Sequence, residues 1–295
     1  MEHIQHIHFK KILVPVDFSK TSHQSFNHVK WLAEKFFSEV TLIHIREIMP
    51  SVSVFPSLYQ PQEDFNSEYK KLAIAKLDEM RKELMDGGIK VVNTQYSEGS
   101  VASNINDFAV EEKMDVVIMG THGSGGLTEF FIGSNAFKVV NMVDKPVLTI
   151  NDKRKFTPYK NIVVPLDDSK YSRAKFPYVA ELAAILGTEI QILYPVFSDS
   201  KIKQDISNYL QQVSVFLESK GIKHISKPAD GNFAHEIIKF AEYTKADLII
   251  MMSETEMTIG KMLLGSSAQE LVNHSKVPVI TLHPEDKGFL MEVFG

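Results

Sequence analysis

A glycine-rich loop in the first half of the chain has the residue types and spacing to bind a ligand. It reads GTHG over residues 120–123, and GSN over 133–135 opens a predicted helix. Glycines lack Cβ, so the backbone can approach a ligand closely and can adopt positive φ. Successive N–H groups in such a loop, together with a helix N-terminus, favour an anion such as phosphate. Ser134 and Asn135 can add side-chain donors.

Asp17 supplies chemistry of the opposite kind. A carboxylate repels phosphate but accepts hydrogen bonds from a ribose hydroxyl or a base amino group. Ligands of open parallel sheets bind beyond the carboxyl ends of the strands, where the strand order reverses. Asp17 and Gly120 each end a predicted strand, so the pair predicts a nucleotide site. A single glycine would more simply be a turn residue, and the loop is neither a Walker motif nor a dinucleotide fingerprint.

The chain repeats itself, which divides its 295 residues into two domains. Lys11–Ile45 returns 150 residues later, and the segment from Gly99 returns 132 residues later as the segment from Gly231. The first half therefore carries 18 extra residues, the difference between the two offsets, which we place in Glu47–Asp64.

Short β-branched runs alternate with helical patterns in both halves. This order predicts an α/β fold of two tandem, flavodoxin-like doubly wound modules, each with a mainly parallel sheet. Ser19 is a candidate N-cap for the first helix. The predicted elements of the first half are strands Ile12–Val16, Val40–Ile45, Ile89–Gln95, Val116–Met119 and Pro146–Ile150, with helices from Ser19 to Phe36, from Phe65 to Leu84, over Val101–Glu111 and over Ser134–Met142.

Composition excludes several function classes. The net charge is −5 with no basic block, which argues against a nucleic-acid partner. No apolar run reaches the roughly 20 residues of a membrane span, so no membrane partner is expected. The absence of cysteine excludes thiol catalysis and fits a cytoplasmic protein. His3, His6 and His8 are spaced as metal ligands could be, but three histidines near a chain end more simply form a mobile segment.

The loop spacing Gly120-x2-Gly123-x9-Gly133-Ser134 resembles that of the universal stress protein family. VPVDFS near the start and KPVLTI after the loop share the resemblance, which covers almost the whole chain as two tandem modules. It implies a five-stranded, HUP-like module over residues 1–152, a second over 158–284 and a tail over 285–295. It also implies ATP binding in the first module. By the resemblance, the ATP-binding residues are Pro15, Val16, Asp17, Ile45, Met119, Gly120, His122, Gly123, Gly133, Ser134 and Asn135.

The second module has lost part of this set. Met252 and Thr255 replace the first two loop glycines, and Glu254 and Glu256 add negative charge. Two like charges repel by roughly 4 kcal/mol at about 4 Å and an effective dielectric constant of about 20. We therefore predict no nucleotide in the second module. Its degenerate site retains Asp167, Gly265, Ser266 and Ser267.

The two fifth strands, Val147–Ile150 and Val279–Leu282, are apolar and would be exposed at sheet edges. We expect them to pair antiparallel about a pseudo-twofold axis, so that one chain mimics a homodimer of single modules. The sequence leaves open whether the tandem chain forms a further homodimer. Trp31 would cover either a partner surface or the junction between the repeats.

These observations predict a cytoplasmic universal stress protein that acts as an ATP-binding switch in the stress response. Occupancy of the first module would alter Glu47–Asp64 or the module surface, and with it the contact with a protein partner. No residue of the set is an evident catalytic base, so we expect at most slow ATP hydrolysis, with Mg²⁺ held by the phosphates rather than by the protein. The alternatives are a nucleotide-free, chaperone-like scaffold and a nucleotide α-hydrolase or adenylate-transferring enzyme.

Overall fold

A computed structural model describes residues 9–48, 63–121, 133–151, 153–169, 171–253, 255–258, 261–264 and 266–283. The histidines of the N-terminal segment, most of Glu47–Asp64 and the tail over 285–295 lie outside the described residues. His122, Gly123, Glu254 and Gly265 also lie outside them.

Each half alternates strands and helices along the chain. The elements of the first half are β1 (Lys11–Pro15), α1 (Lys20–Phe36), β2 (Glu39–Glu47), α2 (Glu63–Asp86), β3 (Val92–Gly99), α3 (Val101–Glu111), β4 (Val116–Gly120), α4 (Ser134–Met142) and β5 (Val147–Ile150). Those of the second half are β6 (Asn161–Pro165), α5 (Phe176–Leu186), β7 (Glu189–Pro195), α6 (Ser200–Ser219), β8 (His224–Ala229), α7 (Phe233–Tyr243), β9 (Leu248–Met252), β10 (Thr255–Thr258), β11 (Lys261–Leu264), α8 (Ser266–His274) and β12 (Val279–Leu282).

Ten of these strands form one sheet in the order β3-β2-β1-β4-β5-β12-β9-β6-β7-β8. The order is symmetric: each strand of the first half stands as far from one edge of the sheet as its repeat in the second half stands from the other edge. Within this sheet the pairing is parallel in each half, and the predicted α/β fold is confirmed. The strand order reverses between β1 and β4 in the first half, and between β6 and β9 in the second.

The seam between the halves is the antiparallel pair of β5 and β12. Leu148 lies opposite Ile280, and both side chains are fully buried. The Thr149 hydroxyl donates to the Val279 carbonyl oxygen at 3.2 Å, across the seam. The strand pairing therefore agrees with the expectation from the two apolar fifth strands, which lie at the centre of the sheet.

Helices cover both faces of the sheet. On one face, Val29 of α1 and Leu77 of α2 pack in a cluster that continues to α5 and α6. On the other, Ile105 of α3 and Val139 of α4 pack in a cluster that continues to α7 and α8. Adjacent residues of a buried strand point to opposite faces, so the central strands read as unbroken apolar runs.

Three sequence expectations are wrong. The third strand is Val92–Gly99 rather than Ile89–Gln95, because Ile89 still closes the end of α2 through its N–H bond to the Leu84 carbonyl. The second half does not follow the first throughout, because α5 begins at Phe176, six residues after the point that matches the start of α1. Pro177 has no N–H to donate and favours the first helical turn. Thirdly, the segment MMSETEM over residues 251–257, which the repeat aligns with the end of the fourth strand and the start of the glycine loop, is not core and loop alone, because it includes most of the strand β10.

The linker between the halves packs tightly against both of them. Tyr159 is fully buried, and its hydroxyl lies 2.7 Å from Nδ1 of His28 in α1. Trp31 stacks edge-on to Tyr159 at 5.0 Å, so it covers the junction between the repeats. Asp247, at the start of β9, accepts from Arg154 at 3.1 Å and from the Thr157 hydroxyl at 2.8 Å. The linker is thus tied to α1 on one side and to the start of β9 in the second half on the other.

Burial at this junction makes stability depend on pH. Burial, and then the Arg154 charge, lower the pKa of His28 from 6.5 to about 4, so the imidazole is neutral at pH 7. The unfolded chain therefore binds the proton more readily than the folded protein. The contribution of His28 to stability is fully present above pH 6.5 and is lost as the pH falls toward 4, in total about 3 kcal/mol.

We predict that His28→Gln, which keeps an acceptor for the Tyr159 hydroxyl but does not titrate, will be less sensitive to acid. Urea unfolding midpoints measured from pH 7 to pH 4 should fall less steeply for the variant than for the wild type. Equal slopes for the two proteins would contradict the prediction. His23→Gln is the matched control, because His23 lies on the same helix but is exposed.

Candidate functional site

β1 and β4 are neighbouring parallel strands at the point where the strand order reverses, so their carboxyl ends lie on the same side of the sheet. Pro15 and Val16 are buried at the end of β1, and the Val16 N–H donates to the Ile43 carbonyl at 2.9 Å. Ile45 and Met119 are also buried, at the ends of β2 and β4. These described members of the predicted set therefore lie near the carboxyl ends of the strands in the first half of the sheet.

Asp17 is exposed at this edge and is held by the start of α1. Its carboxylate accepts from the Ser22 hydroxyl and from the Ser19 backbone N–H, the latter at 3.0 Å. Ser19 in turn caps α1 by accepting from the Ser22 N–H, as predicted from the sequence. The cap fixes the direction of the carboxylate, which leaves Asp17 as an oriented acceptor at the mouth of the site.

Thr121 joins the phosphate side of the site to the sheet. Its N–H donates to the Ile150 carbonyl at 2.9 Å, and its own carbonyl accepts from the Gly133 N–H at 2.7 Å. These bonds place the start of α4 directly beside the end of β4. Sequence reasoning gave Thr121 no role, although its N–H and its hydroxyl both donate to the Ile150 carbonyl, as those of its counterpart Ser253 both donate to the Leu282 carbonyl.

The start of α4 carries the features of an anion site. Gly133 is the N-cap, and no side chain caps the helix there. Its φ of −58° shows that this glycine contributes by lacking Cβ rather than by a left-handed conformation. Gly120 likewise belongs to the extended backbone of β4. The free N–H groups of a first helical turn attract anions.

Asn135 and Ser134 lie in this first turn. Asn135 Nδ2 lies 3.5 Å from Glu47 Oε2, which brings the end of β2 to the start of α4. Asn135 Oδ1 is buried and, among the residues that the structure describes, has no hydrogen-bond partner. An unsatisfied buried oxygen costs free energy, so this position favours a donor group that arrives with a ligand. Ser134 is exposed beside it.

A cluster of aromatic side chains packs next to Asp17. The buried His44 of β2 has Nδ1 2.8 Å from the Val16 carbonyl oxygen and Nε2 3.0 Å from the Tyr69 hydroxyl of α2. The Phe18 ring stacks on His44 at 4.2 Å. Burial is the main cause that lowers the pKa of His44, while the Val16 carbonyl and the Asp17 charge oppose it.

The corresponding edge of the second half is nearly filled. Pro165, Asp167, Met252 and Ser267 line a cavity of about 20 Å³, room for about one water molecule. Lys175 also lines it, with its side chain buried. Its ammonium donates to the Ser172 carbonyl at 2.8 Å and to the Ser172 hydroxyl at 3.1 Å.

Lys175 takes the place of a much smaller residue. Its counterpart in the first half is Ser25, whose hydroxyl donates to the Ser22 carbonyl at 2.6 Å. A buried lysine thus occupies volume that the first half leaves to a serine. Sequence reasoning missed this exchange, although the repeat alignment shows it directly.

The loop of the second half has become a hairpin. β10 and β11 pair antiparallel, with Thr255 opposite Leu264 and Thr258 opposite Lys261. Their ladder uses backbone groups that an anion would otherwise need. β11 also lies against α4 of the first half. Ser266 begins α8.

The described part of the chain offers neither a membrane-spanning helix nor a metal centre. No helix there is long and apolar enough to cross a membrane. No group of three or more histidine, aspartate or glutamate side chains there is arranged to hold a metal ion.

Comparison with known proteins identifies the family of the chain. The model of the universal stress protein family matches residues 8–151 and again 158–283. A universal stress protein of Methanocaldococcus jannaschii is 34% identical in an alignment of 157 residues that covers 49% of this chain and 96% of the relative. One from Synechocystis is 21% identical in an alignment of 293 residues that covers 92% of this chain and 99% of the relative.

A solved structure supports the same fold over both halves. The crystal structure of a universal stress protein from Archaeoglobus fulgidus superposes with a TM-score of 0.76 at 18% identity, covering 93% of this chain and 98% of the other. The family match extends over nearly all of both repeats. The chain therefore belongs to the universal stress protein family, as a member with two tandem family domains.

Proposed function

We propose that the first module binds ATP and acts as a nucleotide-controlled switch in the stress response. The observation that carries this proposal is the placement of an oriented acceptor, Asp17, opposite an uncapped helix start at the strand reversal. The acceptor suits the ribose or the base, and the helix start suits the phosphates. The ATP-binding residues would be those of the predicted set, including His122 and Gly123.

The second module is proposed to bind no nucleotide. Three features support this: the cavity of about 20 Å³, the buried Lys175 and the paired hairpin in place of the loop. A triphosphate needs open volume and free backbone donors, and this edge offers little of either. The module boundaries would follow the repeat, at 1–152 and 158–284, with the two halves as an intramolecular pseudo-dimer.

The site favours binding over turnover. Asp17 is engaged by the cap of α1, and no described residue near α4 is an evident base for a water molecule at the γ-phosphate. When bound with ATP, Mg²⁺ would neutralise phosphate charge, and the residues of this chain would orient the nucleotide. The two alternatives would behave differently. A nucleotide α-hydrolase would catalyse multiple turnovers, and a nucleotide-free scaffold would be purified without bound ligand.

The proposal predicts about one adenine nucleotide per chain. Purified protein is saturated with ATP, desalted and heat-denatured, and the released nucleotide is quantified by ion-exchange chromatography. One nucleotide per chain is expected because the second module is proposed to bind none. Two per chain would refute the asymmetry, and none would favour the scaffold.

The helix start itself can be tested with a matched pair of variants. Gly133→Val places a branched side chain at the N-cap of α4, and we expect at least about tenfold weaker ATP binding by calorimetry, a loss of about 1.4 kcal/mol. Gly265→Val, at the matching position before α8, should leave the affinity unchanged. Equal affinities of the Gly133 variant and the wild type, with both folded by circular dichroism, would contradict the assignment.

A further inference from the structure

We infer that His44 is a positioning residue that couples the Asp17 turn of the first module to helix α2. The inference rests on the proposed nucleotide site and concerns the element that responds to its occupancy. By this inference, α2 is the part of the module surface that changes when a nucleotide occupies the site.

The hydrogen bonds give the coupling a direction. The Val16 carbonyl can only accept, so His44 Nδ1 carries the proton at 2.8 Å from it. Neutral His44 then has a bare Nε2, which accepts from the Tyr69 hydroxyl at 3.0 Å. One rigid ring therefore connects the peptide group that precedes Asp17 to a side chain of α2.

Phe18 ties the turn to the same ring. Its φ is 62°, a left-handed conformation that a residue with a bulky side chain rarely adopts. Such conformations persist where the surroundings hold them, and they concentrate at functional sites. The Phe18 ring lies on His44 at 4.2 Å. If nucleotide binding shifted the Asp17 turn, the imidazole of His44 would therefore be displaced through two contacts, the Val16 carbonyl and the stacked Phe18 ring.

The second half provides an internal comparison. The counterpart of Phe18 is Asp168, and the counterpart of His44 is Tyr194. Asp167 is kept, so the acceptor survives where the Phe18 ring is lost and the His44 imidazole is replaced by a phenol ring. The half that lost its glycine loop has therefore also lost the imidazole and the phenyl ring that connect the acceptor to the second helix. A histidine needed only for packing gives no reason for the two losses to coincide.

Burial rather than the neighbouring charges favours the neutral form of the ring, because the Asp17 charge raises the pKa of His44 while the Lys76 charge lowers it. Lys76 of α2 lies over the Phe18 ring at 5.2 Å and, after burial, helps to lower the pKa of His44. Protonation would turn Nε2 into a donor and reverse the bond with Tyr69. The other titratable groups in and around the cluster are Asp17, Arg46, Lys70, Tyr69, Tyr96 and Glu98.

The first test needs no ligand. Tyr69→Phe removes only the hydroxyl at the far end of the connection, and backbone ¹H–¹⁵N NMR spectra of the full chain are compared with those of the wild type. We expect the amide resonances of Asp17 and Ser19 to shift. Tyr194→Phe in the second half is the control and should leave them in place. Unshifted Asp17 and Ser19 resonances in Tyr69→Phe would overturn the inference, whether or not ATP binds.

The second test separates the two hydrogen bonds of His44. His44→Asn keeps a donor near the position of Nδ1, and His44→Gln keeps an acceptor near that of Nε2. We expect His44→Gln to weaken ATP binding about fivefold, the effect of one lost hydrogen bond, and His44→Asn to bind nearly as the wild type does. Loss of affinity that is equal in both variants would indicate packing alone and overturn the positioning role.

Hydrogen exchange completes the test. ATP should slow amide exchange over residues 66–86 in the wild type, and Tyr69→Phe should lose this effect while keeping ATP affinity within about threefold. Unchanged slowing in Tyr69→Phe would overturn the inference. A wild type that binds no ATP would instead refute the proposed function, and the ligand-free spectra would still decide the coupling.

Discussion

The pairing of β5 with β12 is the contact on which the rest of the architecture depends. Each of these strands is short and fully buried, and each would be an exposed apolar edge if its half stood alone. Joining them converts two five-stranded sheets into one sheet whose remaining edges are the polar strands β3 and β8. The linker follows from the same constraint, because residues 151–159 must cross from the centre of the sheet to the start of β6.

Because the chain is duplicated, each residue of one half can be compared with its counterpart in the other half. Both halves keep the aspartate after the first strand and the hydroxyl residue after the fourth, since these residues also hold the backbone together. The two halves differ at positions where side chains or loop backbone would have to leave room for a ligand. A lysine stands where the first half has a serine, and a hairpin stands where it has glycines. The shared scaffold is thus separable from the features that would serve a ligand.

Sequence reasoning succeeded where a periodic apolar pattern decides the structure. The helices α3 and α4 have the bounds expected from the sequence, and the central strands are displaced by only a residue or so. β3 was misplaced because a polar edge strand lacks the apolar run that marks a buried one. The position of the candidate site could be predicted from the strand order, but the roles of Lys175 and His44 could not. Their contacts depend on burial between distant segments, which local spacing does not encode.

The seam has one more consequence, because the two strands that form it belong to the same polypeptide. An assembly of separate single-domain chains obeys mass action and comes apart on dilution. Here the linker fixes the effective concentration of one half at the other, and the buried contacts of Tyr159 hold it in place. The paired architecture is therefore as complete in a cell that holds a few copies of the protein as in one that holds many.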